Sequence, residues 1–439
     1  MTATGIYEQA ESWGRQKRVE QRTVSLGNRF AALPEGARSM LPFGNGRSYG
    51  DVCLNEGGTL LHTRGLDRFI NFDRDRGVLR CEAGVLLAGI IELVQRAGWC
   101  LPVTPGTRFV TVGGAIANDV HGKNQHRAGS FGAHVCALEL LRSDGERLLC
   151  TRQQNPEWFR ATVGGMGLTG LITWAEIQLC VQRTAWLDVD TTRFESIEEF
   201  VRLSADAEAS FEHSVAWFDC LRMGDGRLRG LFRCANPSPM GIPARLPKSA
   251  IAVMPFAAPV SPVSLVHPLP LRVFNALYAR PWRSHSWRSV EHYDAFLYPL
   301  DRIAHWNRIY GPRGFYQFQC VVPDQLALTL LIDRIRAGKE GSCLAVLKGF
   351  GDAAPEGFMS FARKGYTLAL DFPNRGERTV TLLESLGAIV AETGGAIYPA
   401  KDACMSPAEF SRFFPNANHF SQFVDPAFSS MLWRRVRET

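Results

Sequence analysis

What this 439-residue chain lacks closes off several function classes at once. No uninterrupted apolar run reaches the roughly 18 residues that a membrane-spanning helix needs, and the opening stretch MTATGIYEQAESWGRQKRVEQ holds no apolar core of signal-peptide length. A cytoplasmic protein without a transmembrane segment is therefore expected. Eleven cysteines are scattered with no CxxC pair among them. That pattern predicts reduced thiols in a reducing compartment rather than a disulfide framework. The ten histidines include no HExxH and no paired Cys/His spacing, so no metal is expected. There is no Walker lysine after a GxxxxG loop and no GxSxG elbow. A net charge of +6, from 49 basic and 43 acidic residues, is mild for this length. It suits an anionic cofactor or substrate and argues against a nucleic-acid partner, which calls for a concentrated basic patch.

What is abundant is glycine, gathered into three clusters in the first 170 residues: FGNGRSYGD (Phe43 to Asp51), PGTRFVTVGGAIANDVHGKNQHRAGSFG (Pro105 to Gly132) and VGGMGLTG (Val163 to Gly170). Glycine allows positive φ and close approach of a ligand to the main chain, so backbone N–H groups can converge on phosphate oxygens. No strand-GxGxxG-helix unit with a following acidic residue accompanies them, which excludes a doubly wound dinucleotide fold. Short apolar runs at Thr59 to His62, Gly77 to Glu82, Ala137 to Arg142 and Gly170 to Val181 read as strands, and Leu86 to Ala97 as a helix ending at Gly98.

After Gln182 the pattern changes. Alternation in HSVAWFDC (213–220), GFYQFQCVVP (314–323), CLAVLKGFG (343–351) and GYTLALDFP (365–373) predicts an antiparallel sheet with one face turned to a ligand, covered on the other by helices near 323–337 and 377–393. The proline-rich stretch 237–281 is expected to be an extended loop or lid. SPAEFSRFF and VDPAFSSMLWRRV near the C-terminus read as helical. The length exceeds what one core supports. The fold class is thus α+β in two domains: 1–182, a substrate domain 183–396, and a C-terminal segment 397–439 returning to the first.

Taken together, GNGRSYGD, the run 105–132 and Gly164 to Gly170 resemble the PCMH-type FAD-binding domain of the vanillyl-alcohol oxidase superfamily. AWFD (216–219), WNRIYGP (306–312), YQFQ (316–319), LKGFG (347–351), LDFP (370–373) and AKD (400–402) extend the likeness to its decaprenylphosphoryl-β-D-ribose 2′-oxidases. The resemblance implies FAD contacts from Gly44, Asn45, Gly46, Arg47, Ser48, Tyr49, Gly50, Asp51, Gly106, Thr111, Val112, Gly113, Gly114, Asn118, His121, Gly122, Ile172 and Tyr398. GNGRSYGD has no histidine to tether a flavin, so noncovalent FAD is expected. The likeness further implies catalytic roles for Lys401, His121 and Lys348, and sugar contacts from Tyr49, Lys123, Trp217, Tyr310, Gln317, Gln319 and Asp371. Mycobacterial members carry a cysteine where this chain has Ala369. The implied reaction is oxidation of a lipid-linked sugar phosphate at C2′, completed by a separate NAD(P)H-dependent short-chain reductase, with possible peripheral contact with the inner membrane. An alditol or sugar-lactone oxidase using oxygen is the alternative.

Overall fold

Alternation carries most of the architecture. In Phe315–Val322, Phe318 and Cys320 are buried on one side while Gln317 and Gln319 point to the other. The same two-residue period recurs in Ala345–Phe350, where Leu347 is buried behind Lys348, and in His213–Phe218, where Ala216 and Phe218 are buried behind Trp217. Side chains two apart share a face, so pairing these strands in register produces one apolar and one polar face. The structure is a computed structural model. It describes residues 6–437 except 38, 183, 221–227, 240–255, 267–283, 339–341 and 343.

The resulting sheet has eight strands in the order Ser286–His292, Trp186–Phe194, Gly230–Pro237, His213–Phe218, Ala345–Phe350, Gly365–Pro373, Phe315–Val322 and Ala396–Ile397. Its neighbouring strands are antiparallel. Helices Ile197–Ser210, Gln325–Gly338 and Glu377–Glu392 pack on the apolar face through Phe200, Leu331, Ile335, Leu386 and Val390. The other face borders a cavity, and at one end Leu187, Val189 and Ala235 pack with Phe296 of helix Tyr293–Leu297.

Residues 6–178 supply two further sheets. Four strands, Ile6–Glu11, Arg18–Ser25, Thr59–His62 and Met40–Phe43, make one. Five antiparallel strands, Phe69–Asp73, Val78–Glu82, Leu171–Gln178, Val135–Leu141 and Arg147–Thr151, make the other. Helix Leu87–Gln95 buries Leu87, Ile90, Ile91 and Val94, one helical stripe, and Gly98 follows it at φ 77°. Cys100 and Cys180 face each other across a short antiparallel ribbon, with their Sγ atoms 2.9 Å apart as free thiols. No helix among the described residues is long and apolar enough to cross a membrane.

One expectation comes out differently. VDPAFSSMLWRRV is helical only over Met431–Arg437. The Asp425 carboxylate accepts from Ala427 N and Ser143 N at 2.9 Å each and pairs with Arg142 at 3.3 Å, which pins the preceding stretch as a turn. The proline-rich run 237–281 lies largely outside the described residues; within it, Phe256–Ala257 pairs in parallel with Ile303–Ala304.

The C-terminal helix closes back on the first glycine loop. Arg435 donates to Asp51 at 2.9 and 3.0 Å and to Asp402 at 2.8 Å, and both carboxylates are buried. Arg435→Ala leaves two buried carboxylates facing each other without a cation, which costs about 3–5 kcal/mol by comparison with other broken buried ion pairs. Urea unfolding of the holoprotein should show that loss, whereas exchanging the exposed Arg202 for alanine, whose partner Asp206 is also exposed, should change stability by less than about 0.5 kcal/mol.

Candidate active site

Between the glycine clusters and this second sheet face lies a cavity of about 1070 Å³, larger than the roughly 300–1,000 Å³ of ordinary small-ligand sites. One wall is main chain. Gly46 adopts φ 58°, and a Cβ on Gly44 would lie 2.3 Å from Thr111 Oγ1. Thr111 caps helix Val112–Ala117, accepting from Gly114 N at 3.1 Å, so Gly113 and Gly114 bring the first turn to the cavity without side chains. Two buried atoms on this wall have no protein partner, Arg47 Nε and Asn118 Oδ1. Leaving such a group unmade costs about 1–3 kcal/mol. A bare-backbone cradle with one unpaired donor and one unpaired acceptor fits the phosphates and the hydrogen-bonding ring of FAD.

Facing it, the sheet presents Trp217, Gln317, Gln319 and Lys348. His121 joins the two walls. Its Nε2 lies 2.9 Å from the Gln319 amide and its Nδ1 3.2 Å from Lys348 Nζ. The Gln319 amide nitrogen faces Nε2 and the Lys348 amine faces Nδ1, so the ring is held between two nitrogen groups, and the nitrogen that accepts from one of them is the unprotonated one. Burial, and after it the Lys348 charge, hold His121 well below the ordinary imidazole range, so the ring is neutral.

The third component is the turn Tyr398–Lys401. Tyr398 stacks on Phe361 at 4.6 Å and donates to Asn118 O at 2.8 Å, while Tyr49 N donates to Ala400 O at 2.9 Å. The turn thereby sets Lys401 Nζ 3.6 Å above the Tyr49 ring. Burial pulls the Lys401 ammonium down to about 7; Asp371 opposes the shift and Lys348 adds to it. Burial alone brings Lys348 to about 7. The same desolvation pushes Asp371 up to about 7.

Of the residues singled out in the sequence, Gly44 to Tyr49, Gly106, Thr111, Gly113, Gly114, Asn118, His121, Gly122, Lys123, Ile172, Trp217, Gln317, Gln319, Lys348, Tyr398 and Lys401 all line this cavity. Five others stand behind its surface. Gly50 packs against the Asp402 carbonyl and Asp51 pairs with Arg435, so neither is turned to a ligand. Val112 is buried in the core of the five-stranded sheet and its helices. Asp371 accepts from Gln317 at 2.5 Å and from the Tyr310 hydroxyl at 3.4 Å, which makes both residues a support for Gln317.

Several cavity residues escape a sequence reading. Arg108 donates to both oxygens of Asp294 at 3.1 Å and, through its backbone N–H, to Asp301 at 3.0 Å, and the Tyr298 hydroxyl reaches Thr104 at 3.0 Å. These pairs bridge nearly 200 positions, and no local signal marks them. Arg233 also lines the cavity. The only sequence cue to it is its place between Phe232 and Cys234 in an alternating strand.

Residues 31–151 match the FAD binding domain family. Over 427 residues, 92% of this chain and 91% of the relative, the sequence is 34% identical to decaprenylphosphoryl-β-D-ribose oxidase of Mycolicibacterium smegmatis. It is 31% identical to an uncharacterised protein of Streptomyces coelicolor over 368 residues, 80% of this chain and 100% of that one. Similarity to L-gulonolactone oxidase of Mus musculus, 29% over 138 residues, covers 31% of each chain. A glycine cradle suited to FAD, set against a sheet of hydrogen-bonding side chains and matched along nearly its whole length, identifies the chain as an FAD-dependent oxidoreductase belonging to the decaprenylphosphoryl-β-D-ribose oxidase family.

Proposed function

We propose that this chain oxidises the C2′ hydroxyl of a polyprenyl-phospho-β-D-ribofuranose to the 2′-keto sugar, with noncovalently held FAD as acceptor. A separate NAD(P)H-dependent short-chain reductase would then deliver the arabino epimer for cell-envelope polysaccharide. The observation that carries the reading is Lys401, held over Tyr49 in the same cavity as His121 and Lys348 and brought by burial to about 7. The near full-length likeness to a named decaprenylphosphoryl-ribose oxidase supports the substrate class. A lipid-linked substrate would bring the protein to the cytoplasmic membrane surface.

FAD, when bound, supplies a two-electron acceptor for the hydrogen leaving C2′. The chain supplies the rest. Neutral Lys401 takes the hydroxyl proton, and its lowered pKa matches that task near neutral pH. Neutral His121, held between Lys348 and Gln319, serves as a hydrogen-bonding group rather than an acid. Gln317, braced by Asp371, and Gln319 orient the sugar hydroxyls.

Anaerobic mixing with a polyprenyl-phospho-ribose should bleach the yellow flavin, whereas soluble alditols and sugar lactones should not. Bleaching by a polyol alone, with peroxide released in air, would establish the alditol or sugar-lactone oxidase instead. The Lys401 role fixes the sign of the pH dependence. Only the deprotonated amine accepts a proton, so the rate of flavin reduction should rise with pH up to about 7 and level off above it. Lys401→Ala should lower that rate about 100-fold or more. Lys401→Arg, which stays charged, should be equally slow; recovery of the rate by arginine would make the residue an electrostatic stabiliser instead.

A further inference from the structure

A second set of charges lines the cavity beyond Lys348. Arg233 projects from Gly230–Pro237 on the cavity face, opposite the buried Phe232 and Cys234. Lys123 comes from the glycine-rich run and donates to the carbonyl of Phe296. Both cations share the ring of Phe296, Lys123 Nζ at 4.9 Å and the Arg233 guanidinium at 5.1 Å from its centroid. Phe296 is itself buried and borders the cavity.

The charges here do not balance. Glu291 holds Arg233 at 2.5 Å and also accepts from Ser289 at 3.0 Å. The cavity carboxylates Asp294 and Asp301 are both engaged by Arg108. Lys123 therefore sits among Arg233 and Lys348 with Glu291 as the acidic group acting on it, and burial together with the two cations brings it down to about 7. His213, close by, is driven by burial to about 3 and adds no charge. Two donors with one carboxylate between them match a singly charged anion. A dianion would exceed the available charge, and a neutral polyol would leave one positive charge of the pair uncompensated.

We propose that Lys123 and Arg233 form the subsite for the phosphodiester group of the substrate, placing the anion on the far side of Lys348 from Lys401. This rests on the oxidation reading for the rest of the ligand. It also assigns to these two residues the discrimination between a phosphate-linked sugar and a free polyol.

The test uses the FAD-loaded enzyme and a soluble probe, the methyl phosphodiester of β-D-ribofuranose, with methyl β-D-ribofuranoside as its neutral counterpart. Binding is read from the flavin spectrum. Arg233→Met should weaken the phosphodiester about tenfold, as expected for loss of a charge-assisted contact, and leave the neutral ribofuranoside unchanged. Arg233→Lys should recover part of the loss. Glu291→Gln should tighten phosphodiester binding, a direction that a purely structural ion pair does not give. Binding of the phosphodiester should also weaken as pH rises through about 7, where Lys123 loses its proton. In turnover, Arg233→Met should raise KM with little change in kcat.

Equal binding of the phosphodiester by wild type and Arg233→Met, or weaker binding after Glu291→Gln, would overturn the subsite. Should phospho-ribose fail to reduce the flavin while the probe still binds through Arg233, the oxidation reading fails and the subsite stands.

Discussion

The site depends on one close approach, that of the first glycine loop to the turn bearing Lys401. A Cβ on Gly50 would fall 1.5 Å from the Asp402 carbonyl oxygen, so only glycine lets the two backbones meet. Asp51 and Asp402 are brought together by that meeting, and Arg435 neutralises both from the C-terminal helix. Two buried like charges repel strongly in a low-dielectric interior, and the shared guanidinium turns the repulsion into a clamp. Tyr49, one residue before Gly50, and Lys401, one residue before Asp402, are thereby stacked with Nζ 3.6 Å from the ring. The cation nearest the proposed chemistry is set by an ion pair that never touches a ligand.

The eight-stranded sheet supplies the opposite constraint. Its period of two commits every second residue to the helix-covered core, so Leu347 and Phe318 anchor what Lys348 and Gln317 present. Side chains on a rigid sheet hold their geometry better than side chains on loops. The basic groups Lys348 and Lys401, and the acidic Asp371, all reach about 7 through burial. Burial in a low dielectric is the largest cause at all three groups, and the Lys348 charge adds to it at Lys401.

Much of this was legible in the sequence because alternation is a local signal. Thr59–His62 has the bounds read from the sequence, Gly365–Pro373 coincides with the run GYTLALDFP, and Glu377–Glu392 ends one residue early. The N-terminal strand Arg18–Ser25 was hidden because a polar residue, Gln21, fills a core position, its amide oxygen accepting from Asn55 N at 3.0 Å. Most residues implied by the family likeness line the cavity. It could not show that Gly50, Asp51, Tyr310 and Asp371 brace the wall rather than face the ligand, since that follows from contacts such as Arg435 to Asp51, 384 positions apart. The Arg233 and Lys123 pair around Phe296 was invisible for the same reason: three distant segments meet only in the fold.

In the proposed reaction this cavity removes hydrogen from one carbon of a phosphate-linked ribose. The most direct measurement is anaerobic stopped-flow reduction of the enzyme-bound flavin by polyprenyl-phospho-ribose carrying deuterium at C2′, followed by mass analysis of the sugar. Hydride loss from C2′ gives a primary isotope effect on flavin bleaching and a product lighter by one deuterium and one proton. Bleaching at the same rate for both isotopologues, with deuterium retained at C2′, would contradict it.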